Sequence, residues 1–387
     1  MQLKHLTMAA LAGTVSAQQM NLTAALQGSP DLSNLTTYVG LFPDLLDTLA
    51  SATNITILAP SNDAFAKLLE GPMGAAIMAN DTDLIQAVLT YHVLNGTYPA
   101  SVVTDTGAFI PTLLTDSAYS NVTGGQVVEA IKSGDDVLFF SGLRANSTVT
   151  QADTNFTGGI IHVIDTVLTP PQNISTTAGA AGLTAIAGAL TAADLVATLD
   201  SLMDVTVFVP NNDAFLAIGS ALPNLTTEQL TSILEYHVIN GTVAYSSTLS
   251  NTSVPTLAGP DVTISIVDGS VFVNSAKVIL PDILVANGVV HVIDNVLNPN
   301  ATSATPDATA STQTPAFAGA SSVSSIALTS GIPTASSAFP TGQVTPASSA
   351  AAPPMSTAAS TAAAAPMKTG AVGFAALFGA GAALMAA

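Results

Sequence analysis

Histidine is the residue type in this chain best suited to chemistry, because imidazole can act as a base near neutral pH or bind a metal. Four histidines lie outside the N-terminal segment: His92, His162, His237 and His291. They form two equivalent pairs, and no third ligand or recurring nucleophile accompanies them. Their neighbours are apolar, so we expect each ring to be buried and to hydrogen-bond a backbone group or a carboxylate. We therefore predict structural histidines, with no catalytic, cofactor-binding or metal-binding residues.

Two aspartates repeat together with these histidines. Asp165 and Asp294 each follow a histidine by three positions, and we expect them to anchor a turn or a cap rather than to take part in catalysis. A carboxylate pair such as Asp135 and Asp136 could attract a divalent ion weakly, but an acidic turn explains it as well. The sequence has no G-x-S-x-G or H-E-x-x-H segment, no glycine-rich phosphate loop with lysine and no EF-hand loop. We therefore predict that the protein is not an enzyme.

The composition argues against several classes of partner. Cysteine is absent, so neither a disulfide nor a thiol nucleophile is possible. The net charge is -19 with only six Lys and Arg, whereas nucleic acid and anionic lipid both bind clustered cations. All the acidic residues lie between Asp31 and Asp307, so the last eighty residues are a different kind of polymer.

The histidine-containing segment 159–170 recurs as segment 288–299. Each copy is a β-branched run opened by glycine and closed by proline, which is typical of a buried strand. A second repeated unit, at 56–65 and 206–215, combines a strand, a proline and a capped helix. A Tyr-His pair lies between these units in both halves. Repetition of this length predicts two copies of one domain.

Both copies resemble the fasciclin domain, whose marks are a T-x-F-A-P-T-N-D-A-F-like segment, a Tyr-His pair and a G-V-V-H-V-I-D-x-V-L-x-P segment. Ser61 and Asn211 stand where that family usually has Thr. The resemblance implies an α+β fold, a compact wedge in which a β-sandwich-like sheet packs against several helices. We place the two domains at residues 18–170 and 173–299. The first carries insertions, one of them expected around residues 105–125.

The two ends of the chain have the composition of processing and stalk segments. Residues 1–17 combine a short basic start, an apolar stretch and small residues, as in a secretory signal peptide. Residues 300–366 are rich in Ser, Thr, Ala and Pro, so we expect a disordered, O-glycosylated stalk. Residues 367–387 end in an apolar run with no basic residue after it, which favours a GPI-attachment signal, with Ser360 as the candidate attachment residue. A C-terminal membrane helix is the alternative.

N-linked glycosylation supports the prediction of secretion, because thirteen N-x-S/T sequences occur in the chain. We expect at least some of them to carry glycan. The candidate acceptors are Asn21, Asn34, Asn54, Asn80, Asn95, Asn121, Asn146, Asn155, Asn173, Asn224, Asn240, Asn251 and Asn300.

One candidate adhesion site follows from the family resemblance. Animal matrix proteins of this family have adhesion motifs with Asp-Ile just before the last strand, and Asp282 and Ile283 occupy that place here. Asp153 and Thr154 correspond to them in the first domain, so the isoleucine is missing there. We expect Asp282 to contribute to a surface contact. The alternative is that Asp282 begins a turn after Pro281 and that Ile283 packs inward.

These features predict a non-catalytic adhesion glycoprotein of the cell surface or extracellular matrix, fixed by a lipid anchor to the outer leaflet of the plasma membrane or to the cell wall. Expected partners are cell-surface or matrix proteins, wall polysaccharides, or a second copy of the chain, with the membrane reached through the anchor. No cofactor is expected. A stalk and anchor of this kind suit a fungal wall protein or a plant arabinogalactan-type protein, and the modest number of Ala-Pro and Ser-Pro repeats favours a fungus. The alternative is a structural wall glycoprotein that acts through its glycans without a specific protein partner.

Overall fold

The computed structural model describes residues 20–71, 73–301, 305–310 and 312–329. The predicted signal peptide, the candidate attachment residue Ser360 and the C-terminal attachment signal lie outside these residues. Within the part of the chain that is described, no helix is both long enough and apolar enough to span a membrane.

The first domain combines six helices and seven strands among the described residues. Its helices are α1 (Leu22–Gln27), α2 (Ser33–Gly40), α3 (Pro43–Ser51), α4 (Asn62–Glu70), α5 (Gly74–Met78) and α6 (Thr82–Tyr91). Its strands are β1 (Ile55–Pro60), β2 (Val93–Asn95), β3 (Ala108–Pro111), β4 (Val127–Ser133), β5 (Asp136–Phe140), β6 (Asn146–Phe156) and β7 (Gly159–Ile164).

The second domain repeats this order with five helices over its described residues. Its helices are α7 (Ile174–Ala180), α8 (Thr184–Ala192), α9 (Val196–Ser201), α10 (Asn212–Ala217) and α11 (Thr227–Glu235). Its strands are β8 (Val205–Pro210), β9 (Val238–Ile239), β10 (Thr252–Pro255), β11 (Asp261–Val267), β12 (Ser270–Val273), β13 (Ala276–Val285) and β14 (Gly288–Ile293). Short 3-10 helices lie at Pro30–Leu32, Ala100–Val102, Gly142–Arg144, Leu222–Asn224, Ser246–Thr248 and Ala327–Thr329.

The repeated runs predicted as strands are β7 and β14, and each lies parallel to the strand that ends in proline, β1 or β8. The sheet order is β2-β1-β7-β6-β5-β4-β3 in the first domain, and the second domain has the equivalent order β9-β8-β14-β13-β12-β11-β10. The glycine that opens each run permits a close approach between the parallel strands. A Cβ atom on Gly159 would overlap the carbonyl oxygen of Ile55, and one on Gly288 would overlap that of Val205.

The helix that follows each proline begins where the sequence predicts it. The Ser61 hydroxyl accepts a hydrogen bond from the N–H of Ala64 at 3.2 Å, and the Asn211 side chain accepts one from the N–H of Ala214 at 2.8 Å. Both residues therefore cap their helices, because a side-chain oxygen satisfies an N–H that has no partner in the first turn.

Apolar side chains fill both faces of each sheet. Successive residues of a strand point to opposite faces, so Ile57 packs with helix residues such as Leu89, whereas Leu58 packs with Phe139 on the side of the β3–β5 strands. The second domain has the same two core layers. The α+β fold with a sandwich-like sheet and helices is confirmed.

A C-terminal arm, defined here as residues 312–329, packs against the second domain. Phe317, Ile326 and Leu328 are partly buried against its core. This arm lies within the range 300–366 that composition assigns to a stalk, so the folded part of the chain extends past the predicted domain end. The sequence does not predict the arm, because its few apolar residues are separated by Ser, Thr and Ala without helical or strand periodicity.

Replacing Gly288 by alanine should lower the free energy of unfolding by about 2 kcal/mol, because the new methyl group forces β14 away from β8. Gly179 in α7 is the matched control: nothing lies within 4 Å of a Cβ atom there. Gly179→Ala should leave stability unchanged or raise it by up to about 1 kcal/mol. Urea denaturation followed by far-UV circular dichroism measures both variants. Equal stability of the two variants would contradict the close approach.

Candidate functional site

The histidine of each Tyr-His pair bridges a helix and the loop after the central strand. His92 lies at the end of α6, where its Nδ1–H donates to the Val88 carbonyl at 2.7 Å and its Nε2 accepts from the N–H of Leu168 at 2.9 Å. His237 makes the equivalent two bonds, also at 2.7 and 2.9 Å. Burial lowers the pKa of both rings to about 4. Both rings are therefore neutral at pH 7, and both nitrogens of each are occupied.

The histidines of the central strands have the opposite tautomer. His162 Nε2–H donates to the Tyr98 carbonyl at 2.9 Å, and its Nδ1 accepts from the N–H of Asp153 at 3.1 Å. His291 is bonded in the same way, with Nδ1 3.3 Å from the N–H of Asp282. Burial lowers the pKa of His291. These imidazoles satisfy backbone groups inside the protein, so no ring nitrogen is free for a metal or a substrate.

The two repeated aspartates join the end of the central strand to its antiparallel neighbour. Asp165 accepts a hydrogen bond from the N–H of Thr148 in β6 at 2.8 Å, and Asp294 accepts one from the N–H of Lys277 in β13 at 2.7 Å. Burial raises the pKa of Asp294. Among the described residues, no three His, Asp or Glu side chains converge as they would around a metal ion.

The candidate adhesion residues are buried. Asp282 is 3 % exposed and Ile283 is 0 % exposed. The Asp282 carboxylate accepts hydrogen bonds from the N–H and the hydroxyl of Ser246, and Ile283 packs in the core of the second domain. The expectation that Asp282 lies on the surface is therefore corrected: its side chain is buried and bonded within the second domain.

Arg144 of the first domain bonds the backbone at this position. Its Nη1–H groups donate to the carbonyls of Pro281 at 2.8 Å and Asp282 at 3.3 Å. The same nitrogen is 3.5 Å from Glu129, and the guanidinium lies 4.9 Å from the centre of the Phe140 ring. Burial raises the pKa of Glu129 to about 7, although the Arg144 charge acts against that rise. Sequence reasoning missed Arg144; its status as the only arginine in the chain was an available signal.

The insertion predicted around residues 105–125 supplies further contacts between the domains. The N–H of Asn121 donates to the Ala286 carbonyl at 2.7 Å. The backbone N–H and the hydroxyl of Thr123 both donate to the Asp204 carboxylate, at 2.7 and 2.5 Å. The longer β3–β4 connection of the first domain therefore reaches the second domain, as Arg144 does.

Most of the predicted glycan acceptors are accessible. Eleven of the thirteen asparagines are exposed, and the two that are half-buried are Asn121 and Asn173. The backbone of Asn121 bonds to the second domain, and the side chain of Asn173 caps α7. Steric access therefore favours modification at the other eleven positions.

Two tandem domains with this strand order, each containing the same buried histidine pair, define a class of protein. A family model for the fasciclin domain matches residues 30–170 and 181–299. The chain therefore belongs to the fasciclin-domain family, and the resemblance drawn from the sequence motifs is confirmed. Members of this family are in general non-enzymatic proteins of the adhesion or glycoprotein type.

The chain is similar to proteins of fungi. The chain is 38 % identical over 305 residues to a fasciclin-like arabinogalactan protein of Arthroderma benhamiae, covering 79 % of this chain and 72 % of that protein. It is 31 % identical over 279 residues to the fasciclin-like arabinogalactan protein elcF of Phaeosphaeria nodorum, covering 72 % and 88 %. Human periostin is 26 % identical over 266 residues, covering 66 % of this chain and 30 % of periostin.

Arg144→Ala should lower the free energy of unfolding by about 3 kcal/mol, because it leaves Glu129 buried without a charge partner and removes two bonds between the domains. Lys132→Ala removes an exposed cation from neighbouring β4 and should change stability by less than about 0.5 kcal/mol. Scanning calorimetry measures both variants. A shift in the Arg144 variant no larger than that of the control would contradict an energetic role for this contact.

Stability should fall as the pH is lowered from about 6.5 to about 4. In this window the unfolded chain protonates at His92 and His237, whose ordinary pKa is 6.5, while the folded rings, with a pKa of about 4, stay neutral. The unfolded state therefore binds more protons, and each ring contributes a loss of about 3 kcal/mol.

His237→Asn tests this contribution, since the amide retains one donor and one acceptor but does not titrate. The pH-dependent loss of stability that His92 and His237 cause together should fall to about half in the variant. The raised pKa of Glu129 makes its contribution to stability increase as the pH is lowered. This contribution is the same in the wild-type protein and in the His237→Asn variant, so it cancels when the two pH profiles are compared. Denaturation midpoints between pH 4 and pH 7 provide the measurement; identical pH profiles would refute the assignment.

Proposed function

We propose that the chain is a secreted, non-catalytic surface glycoprotein whose paired fasciclin domains mediate adhesion in a cell wall or extracellular matrix. The observation that carries the proposal is the use of all four histidines by the backbone. The side chains best suited to catalysis are committed to holding the fold. The relatives named as fasciclin-like arabinogalactan proteins support a glycoprotein of the same kind.

Adhesion in this proposal uses an exposed face of the paired domains rather than Asp282. The contacts of Arg144 and of the 105–125 insertion hold the two domains together, so a partner meets both domains as one surface. Wall polysaccharides, matrix proteins or a second copy of the chain are the proposed partners. Attachment to the membrane through a lipid anchor at Ser360 belongs to the same proposal and rests on sequence composition.

A structural glycoprotein that acts only through its glycans is the second candidate. The exposure of eleven predicted acceptors favours it, because a coat of glycans at those positions would cover much of both domains. In that case the folded domains would serve as a scaffold for carbohydrate, with no specific protein partner.

Binding of the secreted protein to isolated wall or matrix material, before and after enzymatic removal of N-linked glycan, distinguishes the two functions. We expect saturable binding that survives deglycosylation, because the folded domains present the adhesive face. The control is the deglycosylated protein after thermal unfolding, which should not bind. Binding that is lost together with the glycans would reject adhesion by the domains and favour the structural role.

A further inference from the structure

The C-terminal arm occupies a groove of the second domain between α8 and the end of α10. The N–H of Val323 donates to the Leu216 carbonyl at 3.0 Å. Ser321 bonds twice to Ser220: its carbonyl accepts from the N–H of Ser220 at 3.1 Å, and its N–H donates to the hydroxyl at 2.8 Å. The arm therefore forms backbone hydrogen bonds to the end of α10 and to the turn that follows it.

Two asparagines that follow β14 bind the first part of the arm. Asn295 Nδ2–H donates to the Thr314 carbonyl at 2.7 Å, and Asn298 Nδ2–H donates to the Ala316 carbonyl at 3.0 Å. Asn295 is 3 % exposed with the arm in place, so its bond to Thr314 is shielded from water.

Two glycines make room for the arm at its apolar contacts. A Cβ atom on Gly219 would overlap the side chain of Val323, and one on Gly188 in α8 would overlap the carbonyl oxygen of Leu328. The backbone of the domain is therefore shaped to the arm at two separate points. Phe317 and the Leu328 side chain add apolar burial along the same groove.

The first domain lacks both glycines. Asn62 and Asn212 accept equivalent hydrogen bonds from the N–H groups of Asn34 and Ala185, so Thr37 corresponds to Gly188. Counted from Phe65 and Phe215, Leu69 corresponds to Gly219. Both larger side chains would fill the space that the arm occupies. The site is therefore a property of the second domain and is not a general feature of the repeated fold.

We propose that this groove is a peptide-docking site, and that its occupant is residues 312–329 of the same chain. The site recognises an extended segment that offers a β-branched side chain to the hollow at Gly219 and backbone carbonyls to Asn295 and Asn298. Its function is to fasten the chain that leaves the second domain back onto that domain.

Two single variants of the full chain separate the arm from its groove. Val323→Asp damages the arm and leaves the groove intact, because a carboxylate is costly against an apolar surface. Gly219→Ala damages the groove, and the three nearest atoms that its methyl group meets all belong to the Val323 side chain. In both variants we expect hydrogen exchange at Ser321 and Val323 to become at least about tenfold faster. Gly179→Ala is the control and should keep wild-type protection.

A synthetic peptide with the sequence of residues 312–329 then tests recognition. Fluorescence anisotropy should show saturable binding to the Val323→Asp protein, whose groove is vacated. The wild-type chain should bind at least about tenfold more weakly, because its own arm competes at high effective concentration. The double variant Gly219→Ala/Val323→Asp should not bind.

Three results would overturn the proposal. The first is equal exchange of the arm amides in wild type and both variants. The second is peptide binding by the wild-type chain as tight as by Val323→Asp, and the third is retained binding by the double variant. Unchanged exchange protection in β14 confirms in each case that the second domain is still folded.

Discussion

The parallel pairing of the glycine-opened strand with the proline-ended strand is the constraint on which each domain depends. It brings two backbones together where any side chain on Gly159 or Gly288 would intrude. When a sheet is buried on both faces, backbone N–H and C=O groups at its edges and in the adjoining loops are shielded from water. These groups must form hydrogen bonds within the protein. The imidazoles supply those partners, each donating from one nitrogen and accepting at the other. The chain has no cysteine, so these hydrogen bonds, rather than disulfides, connect the elements around the core.

The contact between the domains uses a different kind of interaction. Arg144 gives up hydration to bond two carbonyls of the second domain and remains near one carboxylate, Glu129. Buried charges of this kind add little net stability over an apolar contact but penalise misplacement of the partner. Stacking of Phe109 on Tyr245, with ring centres 4.0 Å apart, adds apolar area to the same junction. Together these contacts fix the position of one domain relative to the other.

Much of the repeated fold could be predicted from local patterns, because the apolar runs that form its strands and the residues that cap its helices can be recognised from neighbours close in sequence. Ser61 is recognisable as a cap, and the 159–170 run as a buried strand, without knowledge of any distant contact. The burial of Asp282 could not be predicted in this way, since Ser246 and Arg144, which bond to it, are distant in sequence. The arm was missed for a related reason: Val323 acquires its place only because Gly219 lies opposite to it, more than one hundred residues away.

The arm also determines where mechanical force would enter the second domain. Without it, a pull on the C-terminal side would act directly at residue 299, next to the central strand β14. With it, tension applied beyond Thr329 first meets the contact of Leu328 with Gly188 in α8, and it must peel the arm away before reaching the sheet. Rupture of the arm would lengthen the connection while both domains stay folded. The arm would thus detach from the groove before the sheet of the second domain bears the load.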